Sequence, residues 1–320
     1  MKSRALPAAL SLALLLAVAA VFVPHFLEFD VHGGRLHGAL ADILQRGAPL
    51  ALLALGLTPV IATGGVDLSV GSVMALASSC AAVAVARGES GAAAAAGIAL
   101  GVGLAAGLAN GLLVTRASIQ PIVATLVLLT AGRGLAVLVS GGGILAFESE
   151  GLEELGRGAF AGFPSAGLLA LAITIATAAL VRGTTLGLHI EAIGDNERAA
   201  RLSGLRVDRV RLAAYAFSGL CAGAAGLLVA ADVGAADASH VGLYQELDAI
   251  LAVVIGGTSL AGGRTSLAGS WCGALAIQAL STIFLFLGLG TPIALCVKAA
   301  AVLAAVAGAK LWTRRAEATA

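Results

Sequence analysis

Charge is scarce in this sequence: only 12% of its 320 residues are Asp, Glu, Lys or Arg, about half the share of a soluble domain. A water-facing shell around one globular core is therefore excluded. The few charges nearly cancel, at a net +1, so there is no basic field to hold a polyanion, and nucleic acid is not a partner. Aromatic residues supply 4% and do not alternate with basic ones. The four cysteines, Cys80, Cys221, Cys272 and Cys296, lie far apart in apolar segments without the CxxC or Cys/His spacing of a metal or redox site; they read as small buried apolar residues. The five histidines, His25, His32, His37, His189 and His240, show no ligand spacing on one helix face, so neither a metal nor a cofactor is expected. No GxxxxGK[ST] run offers a phosphate-cradling loop, and no Ser/His/Asp or Cys/His constellation can be assembled. GVGLAAG at 101–107 only superficially resembles a dinucleotide fingerprint, because its spacing is wrong and it lies inside an apolar run.

What fills the chain instead is apolar residues, 59% of the total, with a mean hydropathy of +1.00 and 43 glycines. The charges separate apolar stretches of about 17 to 25 residues, the length with which a helix crosses a bilayer core. The expected fold class is all-α: a polytopic transmembrane helical bundle of about ten spans, including short or broken helices, forming one domain over 1–320. Spans are expected near Leu6 to Val23, Ala48 to Thr63, Leu68 to Ala86, Ala92 to Val114 and Ile119 to Val139. Further spans are expected near Ala166 to Val181, Val210 to Ala231, Leu247 to Thr258, Ser266 to Leu287 and Thr291 to Ala307. Those at 48–63 and 247–258 are short for a full crossing. Lys2 and Arg4 ahead of the first run imitate a secretory signal, but the polytopic chain that follows makes it a retained span.

Ten spans put both termini on one side, and the basic residues say which. Lys2, Arg4, Arg116, Arg182, Arg198, Arg201, Arg206, Arg209, Arg211, Arg264, Lys310, Arg314 and Arg315 fall on one face, and only Arg35, Arg46, Arg87 and Arg157 on the other. Basic residues concentrate on the cytoplasmic side, so both termini are expected there, in the cytoplasmic (inner) membrane. The opposite loops are acidic, with Glu148, Glu150, Glu153 and Glu154. VIATGGVDLSVGS at 60–72 and VVIGGTSLAGG at 253–263 look alike and end runs that cross in the same direction; a parallel internal repeat explains this, and so does coincidence in a glycine-rich chain.

Polar side chains inside spans are costly and mark function by default. The candidates for a translocation pathway are Asp67, Ser69, Gln120, Glu246 and Asp248, with Arg133 and Lys298 as candidate partners of the carboxylates. Asp67 has a second reading as N-cap of the following helix, with Leu68 and Ser69 in its first turn.

The longest cytoplasmic segment, 184–211, is too polar to span and too short to be a domain. From Asn196 to Leu202 it has helical composition, with Glu197, Arg198 and Arg201 outward and Ala199, Ala200 and Leu202 as a small apolar face, and Gly204 stops it. It is either a docking knob for a soluble partner or a plain polar connection.

EAIGDNERAARLSGL from Glu191, LDAILAVVIGGTSLAGGR at 247–264 and IATGGVDLSVGSVMALA at 61–77 resemble the permeases of the ribose and related monosaccharide ATP-binding cassette importers, within a superfamily that includes branched-chain amino acid permeases. The resemblance runs from about Ile43 to Ala305. It implies a permease subunit, not an enzyme, translocating a ribose- or galactofuranose-like sugar. It also implies cytoplasmic ATP-binding subunits that hydrolyse ATP, a periplasmic sugar-binding protein, and a second permease copy or homologue embedded with it in membrane lipid. By the same resemblance Gly187, Glu191, Ala192, Gly194, Asn196, Ala199, Ala200 and Gly204 form a coupling loop seated in the ATP-binding subunit. The alternatives are an ion-coupled secondary transporter using Asp67, Glu246 and Asp248, or an importer of another small solute such as a branched-chain amino acid.

The charge asymmetry predicts a labelling pattern. In a variant lacking the native cysteines, Glu150→Cys reacts with an impermeant thiol reagent from outside the cell and Arg206→Cys does not. The reverse pattern overturns the orientation.

Overall fold

The computed structural model describes residues 6–23, 26–32, 34–88, 91–288, 293 and 295–300. Among the described residues the helices with both ends defined are, in chain order, α1 (Leu6–Phe22), α2 (Ala39–Ala62), α3 (Val70–Ala86), α4 (Ala92–Thr115), α5 (Pro121–Ser140) and α6 (Glu150–Arg157) in the first half. The second half has α7 (Ser165–Gly183), α8 (Leu186–Asp195), α9 (Glu197–Leu202), α10 (Val207–Val233), α11 (Gln245–Ile255) and α12 (Leu267–Phe286). Three small antiparallel pairs, absent from the all-helical expectation, tie loops together: β1 (Asp30–His32) with β2 (Arg35–His37), β3 (Ile144–Ala146) with β6 (Ala235–Asp237), and β4 (Ala159–Phe160) with β5 (Phe163–Pro164).

Among the described residues six helices are long and apolar enough to cross a membrane, namely α2, α4, α5, α7, α10 and α12. The mostly helical, multi-span build is as expected, while the count of about ten spans is not confirmed. α1 and α3 are apolar helices of 17 residues each, α11 has 11, and most of the span expected at 291–307 lies outside the described residues, as do His25 and both termini. The segment expected to be short at 48–63 is in fact the end of a 24-residue helix. Asp42, Gln45 and Arg46 interrupt the hydropathy there but not the helix; Asp42 sits in the first turn, where the helix dipole favours an acid.

α2 is the hub, packed against α7, α10, α11 and α12 and buried from Gly47 to Ala62. The peripheral helices keep apolar side chains outward, including Leu6, Leu10 and Leu14 on α1 and Val123, Val127 and Leu138 on α5, as lipid contact demands. Helices in lipid gain nothing hydrophobic by associating, so close backbone approach carries the packing. α4 and α10 meet in that way: a Cβ at Gly103 would strike the Gly219 carbonyl, one at Gly107 the Tyr215 carbonyl, and one at Gly219 the Gly103 carbonyl. Cys221 is buried in the same region, next to Gly56. Cys296, by contrast, is exposed, and Cys80 and Cys272 are half-buried, so only one of the four thiols matches the buried reading in full.

The α4–α10 seam predicts that Gly219→Leu lowers the stability of the purified protein by about 3 kcal/mol, the upper end of ordinary overpacking costs. Gly101→Leu, whose Cβ meets nothing within 4 Å, is neutral in the same thermal-melting measurement.

Candidate functional site

The three sequence strings that carry the resemblance meet in space. After α2 ends, residues 65–69 run without regular secondary structure to the start of α3. The Gly263 N–H, in the turn after α11, donates to the Ala62 carbonyl at 3.0 Å, which ties the end of α2 to that turn. The 11 residues of α11 rise about 16 Å, half of a bilayer core. The starts of α3 and α11 touch: a Cβ at Gly71 would strike the Gly242 carbonyl and Glu246 Oε2. The segments at 48–63 and 247–258 were expected to be short for a full crossing: the second is the 11-residue α11, while the first extends through flanking polar residues into α2 and a break follows it, between Thr63 and Val70.

Asp67 sits in the extended segment, 1% exposed. Its Oδ1 accepts from the Ser69 N–H at 3.0 Å, the Ser69 hydroxyl at 2.7 Å and Asn110 Nδ2 at 3.3 Å; its Oδ2 accepts from the Ser218 hydroxyl at 2.9 Å. Asn110 Nδ2 also donates to Ser69 Oγ at 2.8 Å, and the Tyr215 hydroxyl donates to the Val66 carbonyl at 3.3 Å. Ser69, not Asp67, is the boundary residue of α3, so Leu68 and Ser69 do not form its first turn; the carboxylate nevertheless accepts the Ser69 N–H. The sequence singled out Asp67 and Ser69 but missed Asn110 and Ser218. Asn110 had a signal, being an amide deep in an apolar run; Ser218 is one small residue among many.

A second polar group surrounds the start of α11. Arg133 Nη1 donates to the carbonyls of Ala238 at 2.9 Å and Val241 at 2.6 Å, with the Glu246 charge close enough to act on it. Lys298 Nζ bonds Asp248 Oδ2 at 2.6 Å, a pairing foreseen from sequence, whereas Asp67 is bonded to neither cation. Glu246 Oε2 and Gln245 Oε1 are buried atoms without a hydrogen-bond partner, and Gln245 was not among the expected residues. Gln120 stands apart, exposed at the start of α5, 13 residues or about 20 Å along the helix from Arg133. Among the described residues no three His, Cys, Asp or Glu side chains converge as a metal site would require.

The segment expected to couple to a partner forms α8 and α9. Its candidate residues divide into two sets. Glu191 Oε1 accepts from the Thr265 N–H at 3.0 Å and the Thr265 hydroxyl at 2.9 Å. A Cβ at Gly194 would strike the Ala62 carbonyl and the Gly263 nitrogen, and one at Gly187 would meet the Val181 carbonyl at 2.6 Å. Ala200 is buried with Ile193 and Val207, so it does not share an outward apolar face with Ala199 and Leu202. These four residues hold the segment to its own chain. Asn196 caps α9 by accepting the Ala199 N–H at 3.0 Å. Gly204, at φ +86°, lets its N–H reach the Arg201 carbonyl and the Leu205 N–H reach the Ala200 carbonyl, the paired closing bonds of a helix C-terminus. The outward set is Ala192 and Ala199, with Leu188 at 70% and Leu202 at 84% exposure; Leu188 was not anticipated.

Charge pins α9 to α10. Arg201 bonds Glu197 at 3.0 Å and Asp208 at 2.6 Å, and Arg211 bonds Glu197 Oε2 at 2.8 Å and the Thr63 carbonyl at 3.2 Å. Partial burial raises the Glu197 carboxyl, but the hydrogen bonds and charges of Arg211 and Arg201 outweigh it and hold the group below the usual carboxylate range.

A multi-pass bundle in which an 11-residue helix meets the start of a helix that follows a break, with a short capped helix pair packed against the end of α2, has the build of a transport permease. The chain belongs to the family described as the branched-chain amino acid transport system / permease component, whose model matches residues 39–307. It is therefore a multi-pass membrane permease component, a class of transport subunit and not of catalyst. It is 46% identical over 307 residues to the galactofuranose transporter permease protein YtfT of Escherichia coli (strain K12), covering 93% of this chain and 87% of that one. It is 38% identical over 299 residues to the ribose import permease protein RbsC of Bacillus subtilis (strain 168), covering 93% and 90%. To the fructose import permease protein FruF of Bifidobacterium longum (strain NCC 2705) it is 37% identical over 281 residues, covering 86% and 79%. No solved structure matches the chain.

The Asp67 cluster predicts an ordering of variants. Asp67→Ala leaves four donors facing a void, and with unsatisfied buried groups costing about 1–3 kcal/mol each, it fails to reach normal membrane levels. Asp67→Asn keeps one acceptor oxygen, and the Ser218 hydroxyl can turn to accept from the new amide, so it accumulates and melts only a few degrees lower. Equal loss in both variants would show that the charge, not the hydrogen bonding, holds the segment.

Proposed function

We propose that this chain is the membrane-spanning permease of an ATP-binding cassette importer that carries a monosaccharide inward across the cytoplasmic membrane. In this reading 1–320 is one permease domain with both termini cytoplasmic and the coupling loop at 184–211. Its partners are cytoplasmic ATP-binding subunits, a periplasmic sugar-binding protein and a second permease copy or homologue. ATP hydrolysis belongs to the partner subunits.

The observation that carries the coupling claim is the seat of Gly194, which admits no side chain between the Ala62 carbonyl and the Gly263 nitrogen. α8 thus rests on the end of α2 and on the turn that follows α11. The outward residues Leu188, Ala192, Ala199 and Leu202 form the docking face for the ATP-binding subunit, while Glu191, Gly194 and Ala200 transmit its movement into the chain; Gly187, Asn196 and Gly204 shape the element. Pulling on α8 would move α2 and the turn after α11 together, a motion suited to opening a site at the α3–α11 junction to one side of the membrane.

The cargo is argued from the other end of α11. Buried and unpartnered, Gln245 Oε1 and Glu246 Oε2 are acceptors suited to sugar hydroxyls. A branched-chain amino acid would also need a cation for its carboxylate, and Arg133 is engaged by the Ala238 and Val241 carbonyls. The names of the galactofuranose, ribose and fructose relatives support a sugar as well. Ser69 and Asp67 frame the approach, and Asp248 is held by Lys298. The ion-coupled alternative is weaker because Asp67 has four donors and Asp248 has a cation, leaving only Glu246 of its three proposed carboxylates.

The two sides of the coupling element predict separable phenotypes. Ala199→Arg keeps normal membrane levels, fails to recover the ATP-binding subunit on co-purification and abolishes sugar uptake. Gly194→Trp, which disturbs the inner seat, keeps the outer face, retains the ATP-binding subunit in part and loses uptake by at least about tenfold, since a lost close contact of this kind costs more than about 1.4 kcal/mol. Full uptake in both variants with the ATPase bound would remove α8–α9 from the coupling role.

A further inference from the structure

Directly above the coupling element lies a cavity of about 230 Å³ between α7, α8 and α10, backed by Pro59 of α2 and closed by Thr265 and Leu267. Its wall is almost wholly apolar, including Leu180, Ile190, Val210 and Phe217. The two threonines in the wall are already engaged: Thr177 Oγ1 donates to the Ile173 carbonyl at 2.8 Å and Thr265 Oγ1 to Glu191 Oε1 at 2.9 Å. Nothing in the slot calls for water or for a sugar, and a cavity of this kind takes an apolar guest.

The end of the slot nearest α8 and α9 is basic. Arg206 stands four, seven and eleven residues before Val210, Ala213 and Phe217, the spacing of one helix face, and those three residues line the slot. Arg264 is the chain neighbour of the lining residue Thr265. Both arginines are exposed, and unlike Arg201 and Arg211 neither forms an ion pair among the described residues.

We propose that this slot is a binding site for an anionic glycerophospholipid of the cytoplasmic leaflet, one acyl chain lying between α7 and α10 and the phosphate drawn to Arg206 and Arg264. Basic pockets between membrane helices on the cytoplasmic side take such headgroups, and the charge complementarity and the dry apolar lining together select a lipid over a soluble anion. The leaflet follows from the proposed orientation; the site itself depends on neither the cargo nor the coupling partner. A chain in the slot touches Leu186 and Ile190 of α8 and so braces the element that rests on Ala62.

The test uses the delipidated full-length permease alone, titrated with phosphatidylglycerol, phosphatidylcholine of the same chains, or inorganic phosphate. Lipid retention is read by native mass spectrometry and stability by thermal melting, both without ATP or sugar. Phosphatidylglycerol is expected to be retained about tenfold better than phosphatidylcholine and to raise the melting temperature. Arg206→Gln combined with Arg264→Gln, at exposed positions, should erase that preference and leave weak, equal retention of both lipids. Ala213→Phe, which fills the slot, should lower retention of both. Equal retention of the two lipids by the unaltered protein, an unchanged preference in the double variant, or a melting shift matched by inorganic phosphate alone would each overturn the proposal. Because no transport is measured, failure here is distinguishable from failure of the importer reading.

Discussion

Non-helical backbone cannot stand in hydrocarbon unless its polar groups are answered from within the protein, and residues 65–69, between α2 and α3, pose that problem. The Asp67 carboxylate is the answer. It gathers four donors from three elements, its own segment, α4 and α10, and a carboxylate is among the few side chains with enough acceptor sites to do so. The arrangement is possible only because α4 and α10 approach to backbone contact at Gly103, Gly107 and Gly219, which brings Asn110 and Ser218 to the same point. Glycine packing and the buried acid are therefore one device, and the start of α3 hangs from it.

That start is half of the α3–α11 junction, and α11 is the other half. Two helices whose first turns meet inside the membrane leave free N–H groups and the positive ends of their dipoles at one place. Glu246 lies there with an unpartnered oxygen, next to the Gly71 backbone. The turn after α11 and the end of α2 are joined by the Gly263–Ala62 hydrogen bond and covered by Gly194. In the proposed function, binding chemistry and mechanical input would occupy the two ends of α11, a single helix of 11 residues.

The sequence made the membrane architecture legible because hydropathy reports helix length directly, and it located α11 by its shortness. It left the extent of α2 undecided. Asp42, Gln45 and Arg46 lower hydropathy without disturbing a helix, while Gly64, Gly65 and Asp67 disturb the helix within a run that stays apolar on average. Hydropathy and helicity part company at those positions. The coupling segment was legible as an element, through Asn196 and Gly204 at its two ends, but not as a surface. Small residues signal close approach without saying to what: Gly194 and Ala200 face the chain's own helices, Ala192 and Ala199 face outward, and composition treats all four alike.

Glu191 makes the same point with charge. On a cytoplasmic loop a glutamate reads as a contact for a partner, yet its carboxylate is spent on the N–H and hydroxyl of Thr265, at the entry to α12. Arg211 likewise reaches Glu197 and the Thr63 carbonyl. One charged residue therefore ties α8 to the turn after α11, and another ties α9 and α10 to the residue just past α2. A loop held only by apolar contacts could slide when pulled. Charge-assisted hydrogen bonds to fixed backbone groups, which are directional and stronger than neutral ones, oblige α8, α9 and the ends of α2 and α11 to move as a single body, and that rigidity is what a lever between a soluble motor and a membrane site requires.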